Sequence, residues 1–208
     1  MDRGHHTLMD LFSGCGGLAL GLHQVGFKTM LANEMHPDPA STYRHNLLQE
    51  SPESMIIGPV QKVLKNKHLD ELGIKKGDID CLAGGPPCQG FSIAGRGLPN
   101  DPRNSLYKEY LRVVKKIQPK SIIFENVPGF ANRYGKNLRS HLINSLNKMG
   151  YVTDDGILEA KKFGVPQLRK RYFCIGIHKD FHNKNDVYIP SGNKSENEII
   201  KLTARHAI

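Results

Sequence analysis

Short apolar runs of strand character alternate with amphipathic stretches of helical period along most of this chain, and that alternation leaves few folds open. Leu8 to Phe12 reads as a buried strand, and Leu18, Leu22 and Val25 then share a helical face that Gly26 stops. Lys28 to Ala32 reads as a second strand, followed by a helix opened by Asp38 and Pro39 and carrying Ala40, Tyr43 and Leu47. Met55 to Ile57 and Ile79 to Ala83 read as the third and fourth strands. Asn104 or Ser105 caps a helix that turns Leu106, Tyr110, Leu111, Val114 and Ile117 inward. Ser121 to Phe124 is the fifth strand, and Leu138, Leu142, Leu146 and Met149 mark a helix ended by Gly150. The pattern then changes to hairpin strands, Tyr151 to Ala160 and Arg171 to Ile177. Repeated strand–helix–strand units predict an α/β fold: a mostly parallel twisted sheet with helices on both faces and an antiparallel hairpin at one edge.

The 208 residues suffice for one sizeable core. No apolar run approaches the ~20 residues of a membrane span, so a membrane partner is not expected. The charge balance, 29 Lys plus Arg against 20 Asp plus Glu for a formal +9, favours a polyanionic partner without identifying one. Cys15, Cys81, Cys88 and Cys174 show neither CxxC pairing nor metal-ligand spacing, which suits reduced thiols in a cytosol and no metal site.

DLFSGCGGLALG follows the first strand. Gly14, Gly16 and Ala19 fit G-x-G-x-x-G/A, and Glu34 lies about 20 residues on. Glycines admit a ligand close to the backbone, and the acid can accept hydrogen bonds from ribose hydroxyls. The geometry suits NAD and S-adenosylmethionine equally, and the motif by itself does not separate hydride transfer from methyl transfer.

GGPPCQGFS places Cys88 just past the carboxyl end of the fourth strand, where open α/β sheets bind their ligands. Two prolines fix the approach and two glycines clear space beside it. The expectation is a nucleophilic thiol on a loop, whereas Cys81 and Cys174, inside apolar strands, read as inert core residues. Glu125, at the carboxyl end of the fifth strand, projects into the same crevice. Buried there it needs a partner or a proton, so a structural ion pair with an arginine is the competing reading. Gln167, Arg169 and Arg171 alternate along QLRKR and at strand period share one face, suited to planar acceptors or phosphates, or simply to a solvated edge.

Taken together, DLFSGCGG, Glu34, GGPPCQGFS, FENVPGF and FGVPQLRKRYFCIGI, in that order over roughly residues 7 to 178, resemble the DNA (cytosine-5)-methyltransferases. The resemblance implies a Rossmann-like S-adenosylmethionine-dependent methyltransferase fold. It implies attack by Cys88 on carbon 6 of a flipped-out cytosine, with Glu125 holding ring nitrogen 3 and Arg171, backed by Arg169, binding the base carbonyl oxygen. It places S-adenosylmethionine against Phe12, Ser13, Gly14, Cys15, Gly16, Gly17, Glu34, Met35, Val60, Gly84, Pro87 and Leu106. Gln89, Ser92, Arg96, Arg103 and Gln167 would meet double-stranded DNA. SIAGRGLPNDPRN, after the cysteine, resembles the family's mobile catalytic loop. The implied setting is a bacterial cytoplasm, nucleoid-associated, within a restriction–modification system.

Two departures stand out. The first is Gly58-Pro59-Val60 in the place of an acid expected beside the adenine amino group, with Met35 where a larger apolar residue is common; the second is that the family's target-recognition region and last motifs are not expected within these residues. The expected division is a catalytic domain over residues 1 to 178, then a linker and the start of a target-recognition region over 179 to 208. A second subunit carrying the recognition domain, a transfer RNA substrate and a catalytically silent partner are the alternative readings.

Overall fold

The computed structural model describes residues 4–88, 105–132, 136–181 and 187–192. Among them seven strands form one sheet: β1 (His6–Leu11), β2 (Phe27–Glu34), β3 (Met55–Ile57), β4 (Cys81–Gly84), β5 (Ser121–Asn126), β6 (Tyr151–Glu159) and β7 (Lys170–His178). Their order across the sheet is β3-β2-β1-β4-β5-β7-β6. The first five pair in parallel, whereas β7 runs antiparallel to both β5 and β6. The expected architecture is thus present, hairpin edge included. The order reverses between β1 and β4, so the crevice outside their carboxyl ends is the switch point at which such sheets bind ligands.

The helices are α1 (Gly17–His23), α2 (Pro37–Leu47), α3 (Asn66–Glu71), α4 (Leu106–Ile117) and α5 (Lys136–Lys148). α1 and α2 cover one face, where Ala19, Ala40 and Tyr43 meet Leu8, Ala32 and Ala83. α3, α4 and α5 cover the other, where Leu69, Tyr110, Val114, Leu142 and Leu146 meet Met9, Leu82, Ile122 and Phe124. Both faces of the parallel strands are therefore largely apolar, as burial on both sides requires, with Asp10 and Thr29 the polar residues buried on the α1/α2 side.

Several expectations need correction. Val25 lies beyond the end of α1 and is 68% exposed, so the inward face of that helix is carried by Ala19. Leu106 opens α4 only half-buried, and Tyr107 takes the core position instead. β7 begins at Lys170, so Gln167 and Arg169 precede the strand rather than alternating along it. α3 carried no sequence signal strong enough to be read. The loop bearing Gln89, Ser92, Arg96 and Arg103, the Asn104 cap and residues 193–208 lie outside the described residues. No described helix is long and apolar enough to cross a membrane.

Candidate active site

The glycine loop turns directly off β1. Phe12 and Gly16 take left-handed backbone conformations, with φ of 55° and 93°. At Gly16 a Cβ would sit 2.6 Å from Leu47 Cδ1 and 2.8 Å from the Tyr43 ring, so only glycine lets α2 pack beneath the loop. Glu34 fastens the loop from the neighbouring strand. Its Oε2 accepts from the Gly14 N–H at 2.9 Å and its Oε1 from the His36 N–H at 2.9 Å. Each carboxylate oxygen keeps a further acceptor site for a ribose hydroxyl. Ser13 Oγ is buried there without a hydrogen-bond partner. An acid with spare acceptors, an orphaned hydroxyl and a glycine-rich turn are what a nucleoside cofactor needs, so these residues fit S-adenosylmethionine.

Beside the acid, Met35 is exposed and available to an adenosine ring. The Gly58–Val60 corner is less open. Asn33 Nδ2 donates to the Ile56 and Gly58 carbonyls, and Lys62 Nζ donates to the Ile57 carbonyl at 2.8 Å. Val60 is only 3% exposed and packs in the core, so its side chain is a wall of the fold rather than an open contact. Cys15 and Gly17 are exposed on the loop, and Leu106 is half-buried at the start of α4.

Past β4 the backbone runs against the end of β5. Gly84 is paired with Phe124, so Gly85 passes Glu125. A Cβ on Gly85 would lie 3.0 Å from Glu125 Oε2, and one on Gly84 would lie 3.0 Å from the Leu11 carbonyl. The two glycines are there because the acid and the β1 backbone occupy the space. Asn126, buried and not singled out from the sequence, pins the next residue by donating from Nδ2 to the Pro86 carbonyl at 3.0 Å. Its signal was its position directly after the acid in ENV.

Cys88 lies on the stretch after β4, as expected, where it is 8% exposed and packs in the cluster that holds Tyr107 and Phe130. Pro86 is held down by Asn126 and draws the run inward, while Pro87 stays exposed. Cys81 and Cys174 are buried core thiols, as expected, and burial pushes each up to about 12.

Glu125 pairs with Phe173 of β7, which makes Arg171 its diagonal neighbour on the same face. Arg171 Nε lies 3.0 Å from Glu125 Oε1 and Arg169 Nη2 lies 3.9 Å from the same oxygen. The two arginines therefore do converge, although only one sits in the strand. Burial raises the Glu125 carboxyl above the usual value, and the charges of Arg171 and Arg169 pull it back only partly. Gln167 stays exposed outside this group, its N–H bonded to the Val165 carbonyl. No cluster of metal-ligating side chains occurs among the described residues.

Known proteins resemble this chain in sequence and fold. The chain is 36% identical to the type II methyltransferase M1.HphI of Haemophilus parahaemolyticus, over 93% of this chain and 55% of that protein. It is 35% identical to M.AquIA of Picosynechococcus, over 88% of this chain and 77% of that one. It spans about half the length of most such relatives, 46% of M.DdeI for example. A crystal structure described as a DNA modification methyltransferase encoded within an E. coli prophage superposes with a TM-score of 0.71 at 31% identity, over 89% of this chain and 51% of that one. The Spodoptera frugiperda DNMT2 mutant, at 23% identity and a TM-score of 0.69, covers 93% of this chain, is itself covered over 56% of its length, and shares the fold. The family model for C-5 cytosine-specific DNA methylases matches residues 6–207, and the chain belongs to that family.

Proposed function

We propose that this chain is the catalytic portion of an enzyme that methylates carbon 5 of cytosine in double-stranded DNA. The observation that carries the reading is the half-buried acid, Glu125, held on one side against Arg171 and Arg169 and on the other against Gly85, which lies three residues before Cys88.

Carbon 5 of cytosine is a weak nucleophile until a group adds at carbon 6. The Cys88 sulfur forms that bond, and the electron pair displaced from the 5,6 double bond makes carbon 5 nucleophilic. Glu125, with its raised titration, holds a proton at ring nitrogen 3 and stabilises the adduct as it forms. Arg171 binds the base carbonyl oxygen and keeps the acid in place. Fixed donors of this kind contribute ~3–4 kcal/mol each toward a developing charge. When bound, S-adenosylmethionine supplies an electrophilic methyl group at its sulfonium, and Glu34, Ser13 and the Gly14–Gly17 turn are the residues that would hold it. Loss of the carbon 5 proton and departure of the sulfur restore the ring. The base has to leave the duplex to reach a thiol this well covered, and base flipping meets that need. The lysines and arginines that give the +9 charge suit a phosphate backbone.

The relatives are longer than this chain, so recognition of a particular DNA site is assigned to residues outside it, on the same polypeptide or on a second subunit. Duplex DNA carrying 5-fluorocytosine tests the chemistry, because fluorine blocks the final elimination. The chain, supplemented with a relative's recognition lobe and S-adenosylmethionine, should give a covalent adduct by mass spectrometry. Cys88→Ser should give none, and Glu125→Gln should slow its formation by about 10²-fold or more. No wild-type adduct on DNA, or an adduct formed only with RNA, overturns the reading.

A further inference from the structure

Beneath the glycine loop lies a titratable group that the chemistry above leaves unused. Asp10 is 1% exposed on the α1/α2 face of β1, and its Oδ2 has no hydrogen-bond partner. Tyr43 of α2 is the neighbouring group whose hydrogen bonding lowers this carboxyl. Tyr43 Oη lies 3.1 Å from Thr29 Oγ1, and Thr29 Oγ1 lies 2.8 Å from His23 Nε2. Thr29 and Tyr43 are buried, whereas His23, in the last turn of α1, is half-buried. A run of exchangeable donors therefore leads from a partly solvent-facing imidazole to Tyr43, the neighbour of a carboxyl sealed under the site.

The chain is consistent in one direction at a time. With Asp10 charged, His23 donates to Thr29, Thr29 to Tyr43 and Tyr43 to the carboxylate. With Asp10 protonated all three bonds reverse, the imidazole having passed its Nε2 proton inward and regained one from solvent. Burial is the main influence on this carboxyl and pushes it up to about 7. Tyr43 lowers it by hydrogen bonding, and the negative charge of Glu34 on β2 raises it again. From β4, Cys81 faces it as well, its own thiol pushed up in part by Asp10. Those are the titratable groups that face Asp10 among the described residues. Tyr43 also packs against the underside of Gly16, so the carboxyl sits one side chain below the cofactor turn.

S-adenosylmethionine carries a sulfonium cation, and the product left after methyl transfer is a neutral thioether. The two ligands are otherwise alike, including the amino and carboxylate groups. A buried negative charge below the turn favours the cation through space, since the protein interior screens it weakly. We propose that Asp10, set by the His23–Thr29–Tyr43 chain, is the group by which this site distinguishes a cationic sulfonium ligand from its neutral thioether. It does so without touching either. The inference rests on the cofactor reading above. By linkage, binding the cation expels a proton from Asp10, and binding the thioether does not.

Calorimetric titration of the 208-residue chain with S-adenosylmethionine and S-adenosylhomocysteine tests this. Buffers of differing ionisation enthalpy, between about pH 5.5 and 8.5, report proton release. The preference for the sulfonium should grow about fivefold or more across that range, with proton release near neutrality for that ligand alone. Asp10→Asn should bind both ligands and lose the pH dependence and the proton release together. Thr29→Val, a milder change, removes the donor to Tyr43 and should move the midpoint of the preference to higher pH with its size retained. A preference that ignores pH in the wild type, that persists in Asp10→Asn, or that keeps its midpoint in Thr29→Val overturns the inference and leaves the cofactor reading standing. Failure of both ligands to bind the wild type overturns both.

Discussion

At the residue scale the site is built from groups held away from their ordinary states. Glu125 is raised by burial despite two guanidinium neighbours, and Asp10 is raised without any cation beside it. The latter has a stability consequence whose sign can be worked out. Between the ordinary value of 3.8 and about 7, folded Asp10 keeps a proton that the unfolded chain gives up. Stability therefore falls as pH rises through that window, and above it the cost is full, roughly 4 kcal/mol. Thermal melts of wild type and Asp10→Asn should show the variant gaining relative stability between about pH 5 and 8, by up to that amount. The cysteines make a second residue-level test. A thiol reagent followed by mass spectrometry should modify exposed Cys15 first and Cys88 more slowly, with Cys81 and Cys174 reacting only on unfolding. Equal rates at Cys15 and Cys88 would contradict the covered placement of the latter. Sequence singled out Cys88 and Glu125 because each follows an apolar strand, and Arg171 chiefly through the family resemblance. It gave no sign of the cover over Cys88, because the course of that stretch depends on Asn126 reaching Pro86 from another element.

At the scale of elements, the parallel strands are stapled together at their amino ends, away from the site. Asp80, just before β4, accepts from the Thr7 N–H at 2.7 Å and from Thr7 Oγ1 at 3.0 Å, and pairs with Lys120 Nζ at 2.5 Å. One carboxylate thereby joins the starts of β1, β4 and β5. Burial alone would raise its titration, but the hydrogen bonds from Lys120 and Thr7 outweigh it and hold it below the usual value. Its contribution is present above the unfolded carboxylate range and is lost as pH falls through the depressed folded value. Asp80→Ala should cost about 1–2 kcal/mol at neutral pH, after discounting for its partial exposure. Chemical denaturation should show that cost shrinking in acid, whereas a pH-independent cost would point to packing alone. These elements were legible where apolar residues recur at the strand or helix period, as in α4. α3 was not, because six residues give too short a pattern, and the stretch before β7 was not, because a turn bonded from Gln167 to Val165 carries the same alternation as a strand.

At the scale of the whole molecule, the fold class and the antiparallel edge could be read from sequence because strand–helix alternation admits one handed, layered solution. The meeting of Glu125 with Arg171 was implied by the family resemblance alone, since nothing local in ENV or QLRKR says that β7 lies beside β5. The chain spans about half of most relatives. Alone, it should therefore turn over mixed-sequence DNA at least ~10²-fold more slowly than when joined to a relative's remaining lobe, by transfer of labelled methyl groups. Equal rates would show that the relative's lobe adds nothing to catalysis. The reversed direction of β7 has a consequence for how such a chain is made. Its guanidinium enters from a strand that starts where its neighbours finish, 46 residues after the carboxylate it meets. A ribosome adding about 5–20 residues per second emits the acid several seconds before its counter-ion. During that interval the nascent polypeptide holds a cysteine and a carboxyl with no guanidinium to complete them, so competence to react arrives with the last hairpin and not before.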